Sequence, residues 1–280
     1  MVWRCREFTV SFPRPALVMG ILNVTPDSFS DGGSYLEVDR AVERAYQLVA
    51  EGADIVDIGG ESTRPGAPEV GELEELQRVI PVLERLAGQL PVPVSIDTRK
   101  PIVAELALQA GVAVVNDVSA HRRDPLIWES VARFRAGYVA MHMQGTPETM
   151  QDNPNYQDVV SEVTAFFGDC ITRLVNSGVD SEQVVLDPGI GFGKSLAHNL
   201  ELLAHLNRLP VKGRPLLLGI SRKSFLGQIS GTDVSSRVPG GLACTAWARI
   251  QGVQIFRTHD VAVTVQALRT LEAINPVKSF

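Results

Sequence analysis

Asn23, Asp57, Asp97, Asn116, Asp187, Lys223, Arg257 and His259 each stand at or just past the end of a short apolar run. Met141 and His142 end another such run, and Ser221 opens the "SRK" triplet that holds Lys223. Carboxylates and amides of this set pair with N–H groups, whereas Arg, Lys and His give charge-assisted bonds to phosphate or carboxylate oxygens. A ligand with an N–H-rich edge at one end and an anion at the other would use both kinds. Taken singly, an Asp or Asn ahead of a helix is more simply an N-cap, worth about 1 kcal/mol. Capping does not account for Lys223, Arg257 and His259.

Other chemistries find less support. "DPGIGFGKS" resembles a phosphate-binding loop, but a Walker motif ending at Lys194 would need glycine at position 188, which is Pro188. Gly189, Gly191 and Gly193 alternate, so G-x-G-x-x-G fails too. Backbone approach to a flat ring beside Phe192 stays open. His198 and His205 fall on the next helical segment and read as surface or packing residues. His121 sits in the basic turn "HRRD", and His142 is equally consistent with packing and with function. No His, Cys and carboxylate set has zinc-site spacing, and no G-x-S-x-G elbow is present.

The elements that position these residues alternate regularly. Apolar runs at 16–22, 53–58, 92–97, 112–117, 137–143, 183–187, 215–221 and 253–260 are nearly continuous, as in strands buried on both faces. Amphipathic segments such as 38–51, 73–87 and 156–177 lie between them. Glycine in "EGAD", "QAGV", "NSGV" and "IQGV" precedes the next run, as expected of a helix C′ position. Eight strand–helix units without an intervening linker predict a single-domain α/β (β/α)₈ barrel, with 16–280 as the barrel and 1–15 as an N-terminal extension. A doubly wound open sheet is the competitor that periodicity alone does not exclude. Either architecture binds ligands at the strand C-terminal ends.

Composition agrees. The chain has 280 residues, 45% of them hydrophobic, enough for one large core. A formal net charge of −6 argues against a nucleic-acid or membrane-surface binder. No apolar run reaches the roughly 18 residues of a membrane span, and the N-terminus lacks a signal-like apolar stretch. Cys5, Cys170 and Cys244 form no framework, so a reducing, cytoplasmic setting is expected.

Eight segments in order carry a resemblance: "MGILNVTPDSFSDGG", "DIVDIGGESTRPGA", "SIDT", "NDVS", "MHMQGTPETMQ", "LDPGIGFGK", "GISRKSFLG" and "RTHDV". From about Val18 to Val261 the sequence resembles the dihydropteroate synthase family of folate biosynthesis; the first 15 residues lie outside the resemblance. It implies a TIM barrel that is a transferase and, typically, a homodimer. The reaction it implies joins 6-hydroxymethyl-7,8-dihydropterin pyrophosphate to 4-aminobenzoate, with magnesium as cofactor.

The resemblance also implies roles. Asp97, Asn116, Asp187 and Lys223 would bind the pterin, with Met141 and Phe192 packing nearby. Asn23, Arg64, Arg257 and His259 would hold the pyrophosphate, Asn23 also binding the metal. Phe29, Thr63, Ser221 and Ser224 would meet the aminobenzoate. Asp97, Lys223, Arg257 and His259 are the expected catalytic group. Residues 25–33, glycine-ended and bearing Phe29, read as a lid over bound substrate, with "STRPGA" at 62–67 as its partner. A corrinoid-linked methyltransferase would share the pterin-holding acids without needing "SRKSFLG" or this lid. A silent pterin binder would be favoured by loss of Asn23, Lys223 or Arg257, and all three are present.

Overall fold

The computed structural model describes residues 1–25, 34–62, 69–120, 125–147 and 149–275. A hairpin of β1 (Val2–Cys5) and β2 (Phe8–Ser11) comes first. The eight apolar runs then form β3 (Leu17–Asn23), β4 (Ile55–Gly59), β5 (Val94–Asp97), β6 (Val114–Asp117), β7 (Gly137–Met141), β8 (Val184–Asp187), β9 (Leu217–Gly219) and β10 (Ile255–Thr258). Neighbours pair in parallel in the order β8-β7-β6-β5-β4-β3-β10-β9. A bridge between Leu186 and Leu216 joins the two ends of that order. The open doubly wound sheet is thereby excluded.

Helices α1 (Ser34–Ala50), α2 (Glu72–Leu86), α3 (Pro101–Gln109), α4 (Leu126–Phe134), α5 (Val159–Asn176), α6 (Leu196–Ala204), α7 (Ser224–Ser230), α8 (Val238–Ile250) and α9 (Val261–Ile274) follow the strands. Local chemistry sets their ends. Asp158 accepts from the Ser161 amide at the start of α5, and Ser195 forms a capping box with His198 at the start of α6. Gly52, Gly111, Gly178 and Gly252, the glycines of the four recurrent tetrapeptides, all have positive φ, the conformation a C′ glycine supplies.

Strand alternation makes two cores. Val56, Ile58, Ile96, Val115, Leu186, Leu218 and Phe256 belong to the outer core, between sheet and helices. Met19, Ile55, Val114, Val139, Val185, Leu217 and Ile255 belong to an inner core closed by Trp3, Cys5 and Phe12 of the N-terminal segment. The fit there is tight: a Cβ on Gly137 would come within 2.8 Å of the Cys5 Cβ. The Trp3 indole also donates to the Gln183 carbonyl at 3.0 Å.

Two residues beyond this inner layer, on the same strand face, stand Asp57 after Ile55, Asn116 after Val114, Met141 after Val139, Asp187 after Val185 and Arg257 after Ile255. Asp97 ends β5 in register with Gly59 and Asn116. The period of two that fills the barrel with apolar side chains therefore turns polar at its C-terminal mouth.

Candidate active site

Arg257 lies at the centre of the mouth. Its Nε donates to Asp57 Oδ2 at 2.6 Å and one Nη donates to Asp97 Oδ2 at 2.6 Å. Asn116 Nδ2 donates to the same Asp57 oxygen at 3.0 Å. Burial opposes the charge on Arg257, but the two carboxylates outweigh it and hold the guanidinium firmly protonated. The second oxygens of Asp57 and Asp97 are buried and have no hydrogen-bond partner among the described residues.

Asp97 feels several opposing influences. Burial raises its pKa, Arg257 lowers it, and Asp57, Glu75 and Asp117 raise it again, to about 7. Asp187 is also raised by burial, against the pull of Lys223 and of a 2.8 Å bond from the Gly189 amide. The Lys223 ammonium donates to the Ile190 carbonyl, and the residue as a whole is half-buried. Burial lowers that group, Asp187 opposes and Arg257 adds to the effect, leaving Lys223 at about 8. The mouth thus offers, at the end of β5, an Asp97 oxygen without a hydrogen-bond partner among the described residues and, on the opposite side of the barrel, the Lys223 ammonium after β9. The pair suits a flat heterocycle with N–H and carbonyl edges.

The glycine-rich loop after β8 serves packing. A Cβ on Gly189 would run into the His142 carbonyl, and one on Gly193 into the Gln144 backbone. Lys194, 3% exposed, donates to the carbonyls of His142, Gly189 and Phe192 at 3.2, 3.1 and 2.9 Å and lies 3.0 Å from His142 Nδ1. Lysine has no acceptor, so the imidazole accepts through Nδ1. The glycines thus let two loops meet over a buried lysine, an arrangement that the resemblance to a phosphate loop conceals. The same contact brings Phe192 against Met141, Met143, Met150 and Val118, an apolar wall at the mouth.

Beyond β9 and β10, His259 Nδ1 lies 3.0 Å from Ser221 Oγ, and its amide donates to the same oxygen at 3.2 Å. Ser221 and His259, expected at opposite substrate ends, are therefore partners. Ser224 is exposed in the first turn of α7, and Asn23 ends β3 in register with Gly59. Asp97, Asn116 and Asp187 hold none of the N-cap positions of α2 to α9, and Lys223 takes the N-cap position of α7 without a side-chain capping bond. Phe29, Thr63, Arg64 and most of the expected lid and its partner loop lie outside the described residues.

Residues 19–259 match the family described as pterin binding enzyme. Dihydropteroate synthase of Escherichia coli K12 is 48% identical over 256 residues, 91% of this chain and 90% of that protein. The enzyme of Neisseria meningitidis serogroup C is 44% identical over 277 residues, 98% and 97% of the two chains. The chain belongs to the dihydropteroate synthase family. Two solved members of the family are close in shape as well. Xanthomonas albilineans dihydropteroate synthase with 4-aminobenzoic acid superposes with a TM-score of 0.90 at 46% identity, over 99% of both chains. The Burkholderia cenocepacia enzyme complexed with 7,8-dihydropteroate gives 0.88 at 45% identity, over 98% of this chain and 96% of that one. The chain is an enzyme of the transferase class, and the barrel expected from its strand–helix rhythm is the one found.

Three features of this dihydropteroate synthase barrel escape the sequence reading. Asp57 is recognisable as a strand-end acid, yet nothing in its neighbours says that it bonds residues 59 and 200 positions away. Lys194 carries a signal only as a P-loop lysine. Lys100 bonds Glu61 Oε2 at 2.9 Å and Glu75 Oε2 at 2.5 Å, while Glu61 accepts the Val70 amide at 3.0 Å. This buried cluster ties β4, α2 and the end of β5 together, and no local pattern announces it.

Proposed function

We propose that the barrel mouth condenses 6-hydroxymethyl-7,8-dihydropterin pyrophosphate with 4-aminobenzoate to give 7,8-dihydropteroate and pyrophosphate. The observation that carries the reading is the convergence of Asp97, Asn116, Asp187 and Lys223 on one buried polar mouth that also holds Arg257. Asp97 and Asp187 accept from the N–H edge of the pterin, and Lys223 donates to its carbonyl side. Met141 and Phe192 cover the ring.

In the reaction the C–O bond to pyrophosphate breaks, and a C–N bond forms to the aminobenzoate nitrogen, which then loses a proton. Arg257 and His259 neutralise the departing anion, and ionised Asp97 favours positive charge developing on the pterin methylene. Ser221 orients His259; Ser224, at the start of α7, suits the aminobenzoate carboxylate. Phe29, Thr63 and Arg64 are assigned to the aminobenzoate and pyrophosphate by the family resemblance.

Magnesium fits the donors available. The Asn23 carboxamide is a hard neutral oxygen ligand, and among the described residues no three His, Cys, Asp or Glu are grouped for a metal. An ion held by one protein oxygen, pyrophosphate and water matches magnesium's habits. When bound there it would spread the leaving group's charge.

A homodimer and a cytoplasmic setting belong to the same reading. Helix α8 buries only Thr245 and Ala248 within the described chain, and Trp247 and Ile250 stand exposed. Such a face suits a second copy. The three cysteines are free thiols, as in a reducing compartment.

The test is a coupled assay of pyrophosphate release. Release that requires both the pterin pyrophosphate and 4-aminobenzoate is expected; release without the amine, or none, sinks the assignment.

A further inference from the structure

We propose that Asp57 is a positioning residue that sets both halves of the mouth, holding Arg257 for the anion and fixing the amide of Asn116 toward the pterin. The inference rests on the functional reading above. Its basis is a single oxygen: Asp57 Oδ2 accepts Arg257 Nε at 2.6 Å and Asn116 Nδ2 at 3.0 Å.

Depth separates Asp57 from Asp97. Asp57 is fully buried, in register with Ile21 and Ser95 and two residues below the end of β4. A ligand entering the mouth meets Asp97, at the end of β5, before it meets Asp57. Arg257 therefore has one exchangeable partner and one permanent partner. When the N–H edge of a pterin takes Asp97, the Nε bond to Asp57 keeps the guanidinium in place and leaves its Nη groups for the pyrophosphate. Without that tether the same exchange would release Arg257 altogether.

The Asn116 bond has a separate consequence. A carboxylate oxygen only accepts, so the amide must turn its NH₂ to Asp57 and its Oδ1 the other way. Asn116 then presents an acceptor to the ligand, beside the free Oδ1 of Asp97. Two acceptors side by side select a ring edge with two N–H donors and reject one that presents acceptors there.

The test compares Asp57→Ala, Asp57→Asn, Arg257→Ala and the double variant Asp57→Ala/Arg257→Ala. Asparagine can keep an oxygen at the Oδ2 position, so Asp57→Asn should recover part of what Asp57→Ala loses. Expected for Asp57→Ala is a fall in kcat of about 10- to 100-fold, a raised KM for the pterin substrate and an unchanged KM for aminobenzoate. The double variant should be no slower than Arg257→Ala alone, because Asp57 acts on turnover through Arg257. Full turnover in Asp57→Ala overturns the proposal. So does a double variant slower than Arg257→Ala by the factor that separates Asp57→Ala from the wild type.

Should Asp57→Ala fail to fold, Arg257→Lys decides. It keeps the charge and Asp57 but lacks the Nε donor, so turnover should fall with the melting temperature nearly unchanged; wild-type turnover refutes the tether. Wild-type protein that releases no pyrophosphate sinks the functional reading and this inference together. An active wild type with unaffected variants sinks only the role of Asp57.

Discussion

The Lys223 ammonium lies 4.4 Å from the centroid of the Phe192 ring, joining the loops that follow the neighbouring strands β9 and β8. Its hydrogen bond to the Ile190 carbonyl anchors it to the same loop. Lysine poised over an aromatic face keeps its charge while burial works against it. The contact also holds Phe192 against the methionine wall.

Phe192→Leu keeps apolar bulk and removes the ring face. A partly desolvated cation–π contact is worth roughly 1–2 kcal/mol, so pterin affinity should fall about 5- to 30-fold by calorimetry. Unchanged affinity would show that Lys223 does not depend on the ring.

Binding should have a narrow pH optimum. Asp97, raised to about 7, must ionise to accept N–H bonds, and Lys223, lowered to about 8, must stay protonated to donate. The signs for stability are opposite. The contribution from Asp97 is full below its unfolded value and is lost as pH rises through about 7. The contribution from Lys223 is full above its unfolded value and is lost as pH falls through about 8. Near neutrality the empty site carries both penalties, and a pterin that partners both groups relieves them. Pterin affinity and pterin-induced thermal stabilisation should therefore peak between about 7 and about 8. Asp97→Asn should flatten the acidic limb; an acidic limb that survives this substitution would assign it to another group.

Lys194→Met should cost stability first. It strips three carbonyls and His142 of a buried donor, a loss of about 2–4 kcal/mol, readable as a lower urea midpoint. A midpoint equal to the wild type would mean that the two loops hold without it.

Gly189→Ala combines a positive φ of 64° with a clash on the His142 carbonyl. Together these should destabilise by about 2–4 kcal/mol and disturb Asp187, two residues earlier, lowering pterin affinity in whatever protein folds. A fully stable variant with normal affinity would contradict the tight loop packing.

Asp187→Asn replaces an acceptor oxygen with a donor in a buried site. The mismatch should cost about 1–3 kcal/mol of pterin binding, seen by calorimetry, with the fold intact. Equal affinity would remove Asp187 from ligand recognition.

The alternation of apolar runs and helical segments sufficed to locate all eight barrel strands, because a strand buried on both faces must be apolar along its length. The same strands told where to look for chemistry, since a residue two places past Val114, Val185 or Ile255 shares its face and reaches the mouth. Glycines before four of the strands marked helix ends for a backbone reason, positive φ, that is local to each one. Closure was not local. It rests on Leu186 meeting Leu216, and pairing between strands leaves little mark on either one. Nor could sequence reveal that Asp57 serves both Asn116 and Arg257, or that Lys194 packs two loops together instead of cradling phosphate. Hydrogen bonds and ion pairs depend on which side chains converge once the chain has folded, and only the closed barrel brings these together.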